Sequence, residues 1–234
     1  MSATNFVIPP QGETGLPVEG GGVFPVRRIY CVGRNYISHI REMQEADERD
    51  PPFFFQKPRD SLVPHPARIP YPPLTSDFQY EVELVVAIGS DGAPTETQSA
   101  LSMIYGYAVG LDMTRRDRQR DARAAMLPWE IGKSFDASAP CGLLKPVTQS
   151  HHLAKGAISL SVNGEEKQTG DIEQMIWNVG EIIVQLSKQV RLRPGDLIMT
   201  GTPSGVGPLQ VGDHIDARIE GLPALSVTIT NAEA

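Results

Sequence analysis

The chain has 234 residues, 40% hydrophobic and 21% charged, with 22 glycines, 20 prolines and a formal net charge of −7. A chain of this size buries roughly 70–75% of the surface its unfolded form exposes, so it needs no disulfide or structural metal merely to fold. The Gly/Pro content points to turns and short strands, and the acidic balance argues against nucleic acid and anionic membrane as partners.

Two cysteines, Cys31 and Cys141, stand apart with no CxxC or Cys/His spacing, which excludes a zinc ribbon or disulfide scaffold and fits a reducing cytoplasm. The first residues carry no secretory pattern. No apolar run approaches the roughly 18–20 residues that span a bilayer.

In chain order, residues 1–22 are rich in Gly and Pro, and the expectation is an N-terminal arm or leader over 1–25 with one short strand at Asn5–Ile8. A single domain is expected over 26–232. Residues 28–32 read as a buried strand, Gly33-Arg34-Asn35 as a turn with Asn35 as N-cap, and 36–46 as a helix. His39 and Glu42 are neighbours on that helix, three residues apart. Residues 53–57 read as a short strand, and 58–77, with six prolines, as loop. Alternation over 80–88 is the clearest strand signal. A helix feeding a second strand at 106–111 follows, and 114–126 are helix-compatible. Two strands flanking Asn163-Gly164 predict a hairpin. Apolar residues at helical spacing predict one long helix over 172–190. A strand at 197–200, a Gly-rich loop at 201–207 and a strand pair at 214–220 and 224–230 complete a β-dominated α+β chain with few helices.

Glu81 and Glu83 carry the sharpest chemical signal. Their spacing puts two carboxylates on one face of a strand within an apolar run. Carboxylates held together repel unless a proton or cation joins them, and a hard divalent ion, Mg²⁺ for preference, takes oxygen ligands alone. The plain alternative is a solvated strand face. Asp112 ends the second strand, on the same face as small residues at 106, 108 and 110; it reads as a third carboxylate or as an N-cap for 113–124. The His39–Glu42 pair reads as a base that deprotonates water or as a surface ion pair. Arg34, Lys57, Arg116 and Lys133 are cations for substrate carboxylates. The loop Gly201–Gly207 offers backbone N–H groups to an anion but lacks the ending of a phosphate loop, so nucleotide binding is not read.

Taken in order, Gly33-Arg34-Asn35-Tyr36 with His39 and Glu42, Glu81-Val82-Glu83-Leu84, Gly110-Leu111-Asp112, Arg116 with Gln119, Lys133, and Thr200-Gly201-Thr202-Pro203 resemble the fumarylacetoacetate hydrolase family over nearly the whole chain, roughly 26–230. The segments 53–58 and 133–140 look most like its acylpyruvate-cleaving members. The resemblance implies a mixed β-roll or sandwich flanked by a few helices, and a homodimer. It implies Mg²⁺ or Mn²⁺ held by Glu81, Glu83 and Asp112, and a lid carrying His39 and Glu42. Arg116, Gln119, Lys133, Thr202 and Gly201 would hold substrate or stabilise charge. The expected activity is hydrolysis of the C–C bond of a 2,4-dioxo acid, fumarylpyruvate giving fumarate and pyruvate, in which Lys133 with Gln119 stabilises the oxyanion and Arg34 or Lys57 meets the remote carboxylate. The same metal platform also supports decarboxylation of oxaloacetate-like acids, tautomerisation and hydration. From another class comes a non-catalytic β-domain that binds Ca²⁺.

Overall fold

The computed structural model describes residues 6–9, 12–42 and 50–232. Of the expected first strand, Asn5 lies outside these residues, and 6–8 form none. Instead β1 (Gly15–Pro17) and β2 (Val23–Pro25) make a hairpin that buries Leu16 and Phe24. β3 (Arg28–Gly33) follows, then α1 (Ile37–Glu42) and β4 (Phe53–Lys57). The rest of the helix expected to 46 lies outside the described residues. The proline-rich stretch is not all loop, because it carries β5 (Leu62–Pro64) and β6 (Ala67–Pro70). Both are edge strands, where a proline's missing N–H removes no ladder bond.

β7 (Phe78–Gln79) precedes β8 (Val82–Ile88), α2 (Thr97–Leu101) and β9 (Ile104–Leu111). β10 (Thr114–Arg115), α3 (Arg116–Ala124), α4 (Glu130–Lys133), β11 (Ala139–Cys141), β12 (Lys145–Pro146) and α5 (Val147–Ser150) come next. β13 (Ala157–Val162) and β14 (Glu165–Asp171) form the expected hairpin. Asn163 and Gly164 both take positive φ there, 52° and 81°, as a two-residue turn of right-twisted strands demands. The long helix expected over 172–190 is shorter. α6 (Val179–Ser187) begins at Asn178, whose side chain accepts from Glu181 N while the Glu181 carboxylate accepts from Asn178 N. This reciprocal capping box starts the helix and leaves 172–178 outside it. β15 (Asp196–Met199), β16 (His214–Ile219) and β17 (Leu225–Thr230) close the chain.

One sheet of eight strands runs β4-β3-β15-β8-β9-β11-β5, with β12 also on β9; a second runs β14-β13-β16-β17-β6. The larger core fills the space between them, joining Leu84 and Val86 of β8 to Leu160, Ile215 and Val227, with Ile182, Ile183 and Leu186 of α6. A smaller core covers the opposite face of the first sheet, where Val85 and Ala87 meet Ile29, Cys31, Ala108 and Met199, with Leu16 and Phe24 of the hairpin. β8 is therefore buried on both faces, so its periodicity is one of neighbours and not of solvent. Glu81 and Glu83 have the parity of Val85 and Ala87 and belong to the small-core side.

Asn35 is not an N-cap. Its buried amide donates to Thr200 O at 2.8 Å and Trp177 O at 3.0 Å, and its oxygen accepts from Trp177 N at 2.8 Å. It ties the turn after β3 to the end of β15 and the approach to α6. Asn35→Ala leaves these groups unsatisfied and is expected to lower the unfolding free energy by about 2–4 kcal/mol, measured by urea denaturation.

Candidate active site

Glu81, Glu83 and Asp112 converge where β8 begins and β9 ends. Asp112 N donates to Glu81 O at 2.9 Å, which sets the two chain ends side by side. Gly110 lies opposite Glu83 in the ladder. A Cβ there would lie 2.5 Å from Val85 Cγ2 and 3.3 Å from Cys141 Sγ, so a side chain would force the strands apart beside the carboxylates. One oxygen from each of the three acids lies within 4.8 Å of the others, and all three residues are buried. Asp112 caps no helix: α3 begins after Arg115 without a side-chain cap.

Three cations hold this cluster. Lys133 Nζ donates to Glu81 Oε2 at 2.7 Å, Asp112 Oδ2 at 2.9 Å and Thr114 Oγ1 at 2.7 Å, which occupies all three ammonium protons. Lys57 Nζ lies 2.9 Å from Asp112 Oδ1 and donates to the carbonyls of Met113 and Lys133. Lys57 is buried behind the acids and does not line the cavity. Arg116 donates through Nη2 to Glu81 Oε1, through Nε to Gln79 Oε1 at 2.8 Å and through Nη1 to Gln119 Oε1 at 2.6 Å. Arginine only donates, so the oxygen of Gln119 must face it and the NH₂ turns away. Gln119 lines the cavity with Arg116.

Burial raises Glu81 and Glu83 alike, and their neighbours decide the outcome. For Glu81 burial is outweighed by Lys133 and Arg116, which hold it far below the usual range. Among the described residues no cation is bonded to Glu83: burial, then Asp112 and Glu81, push it well above, and Lys133 at a distance offsets this only in part. Its charge is stabilised directly by Gly201 N, which donates to Glu83 Oε2 at 2.7 Å. Burial opposes the charge on Lys133, but Asp112 and Glu81 raise its pKa.

The loop after β15 is shaped for this contact. Gly201 has φ +97°, a left-handed conformation, and a Cβ there would lie 2.7 Å from that of Asn35. Thr202 Oγ1 accepts from Gln168 Nε2 at 2.8 Å, so its own proton is available to the cavity it lines. The buried Gln168 also accepts from Val82 N and donates to Pro203 O.

α1 closes over the same loop. His39 Nδ1 lies 3.2 Å from Glu42 Oε2, and Glu42 Oε1 accepts from Gly205 N at 3.0 Å. Half-burial opposes the Glu42 charge, but His39 and the Gly205 N–H lower its pKa. His39 lines the cavity with the three acids, Arg34, Gln119, Lys133, Gly201 and Thr202; Arg120, Arg123, Phe55 and Trp129 also line it and were not foreseen. The arginines were legible as a spacing of four and then three after Arg116. Gln168 gave no signal, being a glutamine in a hairpin strand.

The fumarylacetoacetate hydrolase C-terminal family model matches residues 28–230. The chain belongs to the fumarylacetoacetate hydrolase family. It is 47% identical over 181 residues to the fumarylpyruvate hydrolase of a Ralstonia species, covering 77% of this chain and 94% of that one. It is 38% identical over 207 residues to the mitochondrial oxaloacetate tautomerase of Homo sapiens, covering 88% and 93%. The crystal structure of fumarylpyruvate hydrolase from Pseudomonas aeruginosa, in complex with Mn²⁺ and pyruvate, superposes with a TM-score of 0.94 at 48% identity, covering 97% of this chain and 100% of that one.

The two glutamates predict opposite stability effects. Glu83 ionises at a cost to the fold that appears as pH rises through about 4, the unfolded value. In EDTA at pH 8, Glu83→Gln is expected to raise Tm by about 2–4 °C, with the gain vanishing at low pH. Glu81→Gln loses its ion pairs and should lower Tm. Both variants should lose divalent-ion affinity in calorimetric titration.

Proposed function

We propose that this protein is a divalent-metal-dependent hydrolase that cleaves the C–C bond of a 2,4-dioxo acid, with fumarylpyruvate as substrate and fumarate and pyruvate as products. The observation that carries this reading is the buried Glu81–Glu83–Asp112 cluster facing the same cavity as the His39–Glu42 pair. The oxygen-only donor set of three buried carboxylates fits Mg²⁺ or Mn²⁺. A bound ion there would act as a Lewis acid toward the 2-oxo acid group and lower the cost of an enolate leaving group.

The protein's own residues supply the rest. Glu42, fixed by Gly205 N–H, orients the His39 ring, and His39 takes a proton from water as its oxygen adds to C4 of the substrate. Gln119 NH₂ and the Thr202 hydroxyl are the cavity's neutral donors for the developing oxyanion. Lys133, with its donors on Glu81, Asp112 and Thr114, contributes field rather than a direct bond. The C3–C4 bond then breaks with its electron pair going to the three-carbon fragment, and the proton on His39 returns to C3. The result is pyruvate and a carboxylate. Residues 26–232 form the catalytic domain in this reading, acting as a homodimer in the cytoplasm.

A second reading is oxaloacetate tautomerisation, favoured by the human relative. Following the enol absorbance of fumarylpyruvate, acetylpyruvate and oxaloacetate with Mg²⁺, Mn²⁺ or EDTA separates them. Loss of fumarylpyruvate signal, abolished by EDTA, is expected; unchanged signal at high enzyme overturns the hydrolase. His39→Ala should reduce kcat at least about 10²-fold, the contribution of a general base, while metal titration stays as in the parent chain.

A further inference from the structure

We infer that Arg120 and Arg123 of α3 form the subsite for the carboxylate at the far end of the substrate, so that this helix measures substrate length. The inference rests on the acylpyruvate reading above. Arg116, Arg120 and Arg123 are spaced as one face of a helix, and all three line the cavity. Arg116 marks the metal end, because it is bonded to Glu81. With a rise of 1.5 Å per residue, Arg120 and Arg123 begin about 6 and 10 Å further along the axis. The two carboxyl carbons of a seven-carbon dioxo diacid are six bonds apart, about 7 Å when extended. The second carboxylate therefore reaches along α3 toward these two residues when the first lies at the acid cluster.

The two arginines sit at the exposed mouth, in contrast to the buried Arg116. Arg120 Nη2 pairs with Asp77 Oδ2 at 2.9 Å, which steadies the side chain while its other N–H groups stay available for a carboxylate. Between the ends, Phe55 and Trp129 line the cavity, with Trp129 edge-on to Phe53 at 4.9 Å. Flat aromatic walls suit a conjugated, planar carbon chain. Lys57, the other cation considered for this carboxylate, is held by Asp112 and two carbonyls behind the cluster.

The test compares diacid with monoacid. In the parent chain with Mn²⁺, 2-oxopimelate should bind more tightly than 2-oxoheptanoate in calorimetric titration. The ratio should fall about 10- to 100-fold in the Arg120→Ala, Arg123→Ala double variant, with partial recovery in the double lysine variant. A structural role would weaken both ligands together and leave the ratio unchanged. An unchanged ratio, or one abolished by Arg34→Ala alone, overturns the inference. Neither ligand is hydrolysed, so this comparison decides the subsite whether or not the parent chain turns over fumarylpyruvate. Absence of that turnover overturns the acylpyruvate hydrolysis reading alone.

Discussion

Three buried carboxylates with oxygens within 4.8 Å of one another are the constraint on which the rest of this structure depends. Isolated in an apolar core such charges would take up protons or unfold the chain. Here Lys133 and Arg116 hold Glu81 ionised, Lys133 and Lys57 flank Asp112, and Glu83 is left with one backbone N–H. The asymmetry is informative. Two of the acids are paired with cations of the protein itself, and the third is bonded to a neutral backbone N–H.

The fold is arranged to keep those partners in place. Lys133 and Lys57 arrive from α4 and β4, Arg116 from the first turn of α3, and the Gly201 amide from the loop after β15. Each comes from a different part of the chain, so the cluster exists only when the sheet is assembled. Asn35 and Gln168 brace it from two sides. The first joins the turn before α1 to Thr200, and the second joins the second sheet to Val82 and Thr202. Neither lines the cavity, yet each fixes residues that do.

Local signals in the sequence were reliable where local physics decides. The Asn163-Gly164 hairpin, the strand around Glu83 and the acid at the end of β9 all follow from short-range pattern. Partnerships between distant residues were not legible. Asn35 has the composition of an N-cap, and only the arrival of Trp177 and Thr200 turns its amide to another use. Lys133 reads as a free cation until Asp112, Glu81 and Thr114 take its three protons. The helix expected from 172 starts at Asn178 because a capping box competes with an apolar stripe, and the stripe does not encode where the first turn begins. The prolines of 58–77 read as loop because edge position, which makes proline acceptable in a strand, is a property of the sheet.

The charge count connects the cluster to the substrate. With all three acids ionised, Glu81, Glu83 and Asp112 contribute −3, and Lys57, Lys133 and Arg116 contribute +3, so the six groups balance at zero once Glu83 has given up its proton. A divalent ion shifts that balance to +2 in a region of low dielectric, where an uncompensated charge is costly. A ligand carrying two negative charges restores neutrality, and one carrying a single charge does not. The net charge of −7 over the chain works against approach of such an anion only at long range, where salt screens it within about 10 Å. Inside the cavity the local balance governs, and there Arg34, Arg120 and Arg123 line the wall, with Arg120 paired to Asp77. On the proposed reading, a divalent ion held by the three acids and the guanidiniums at the mouth would together favour a dianion.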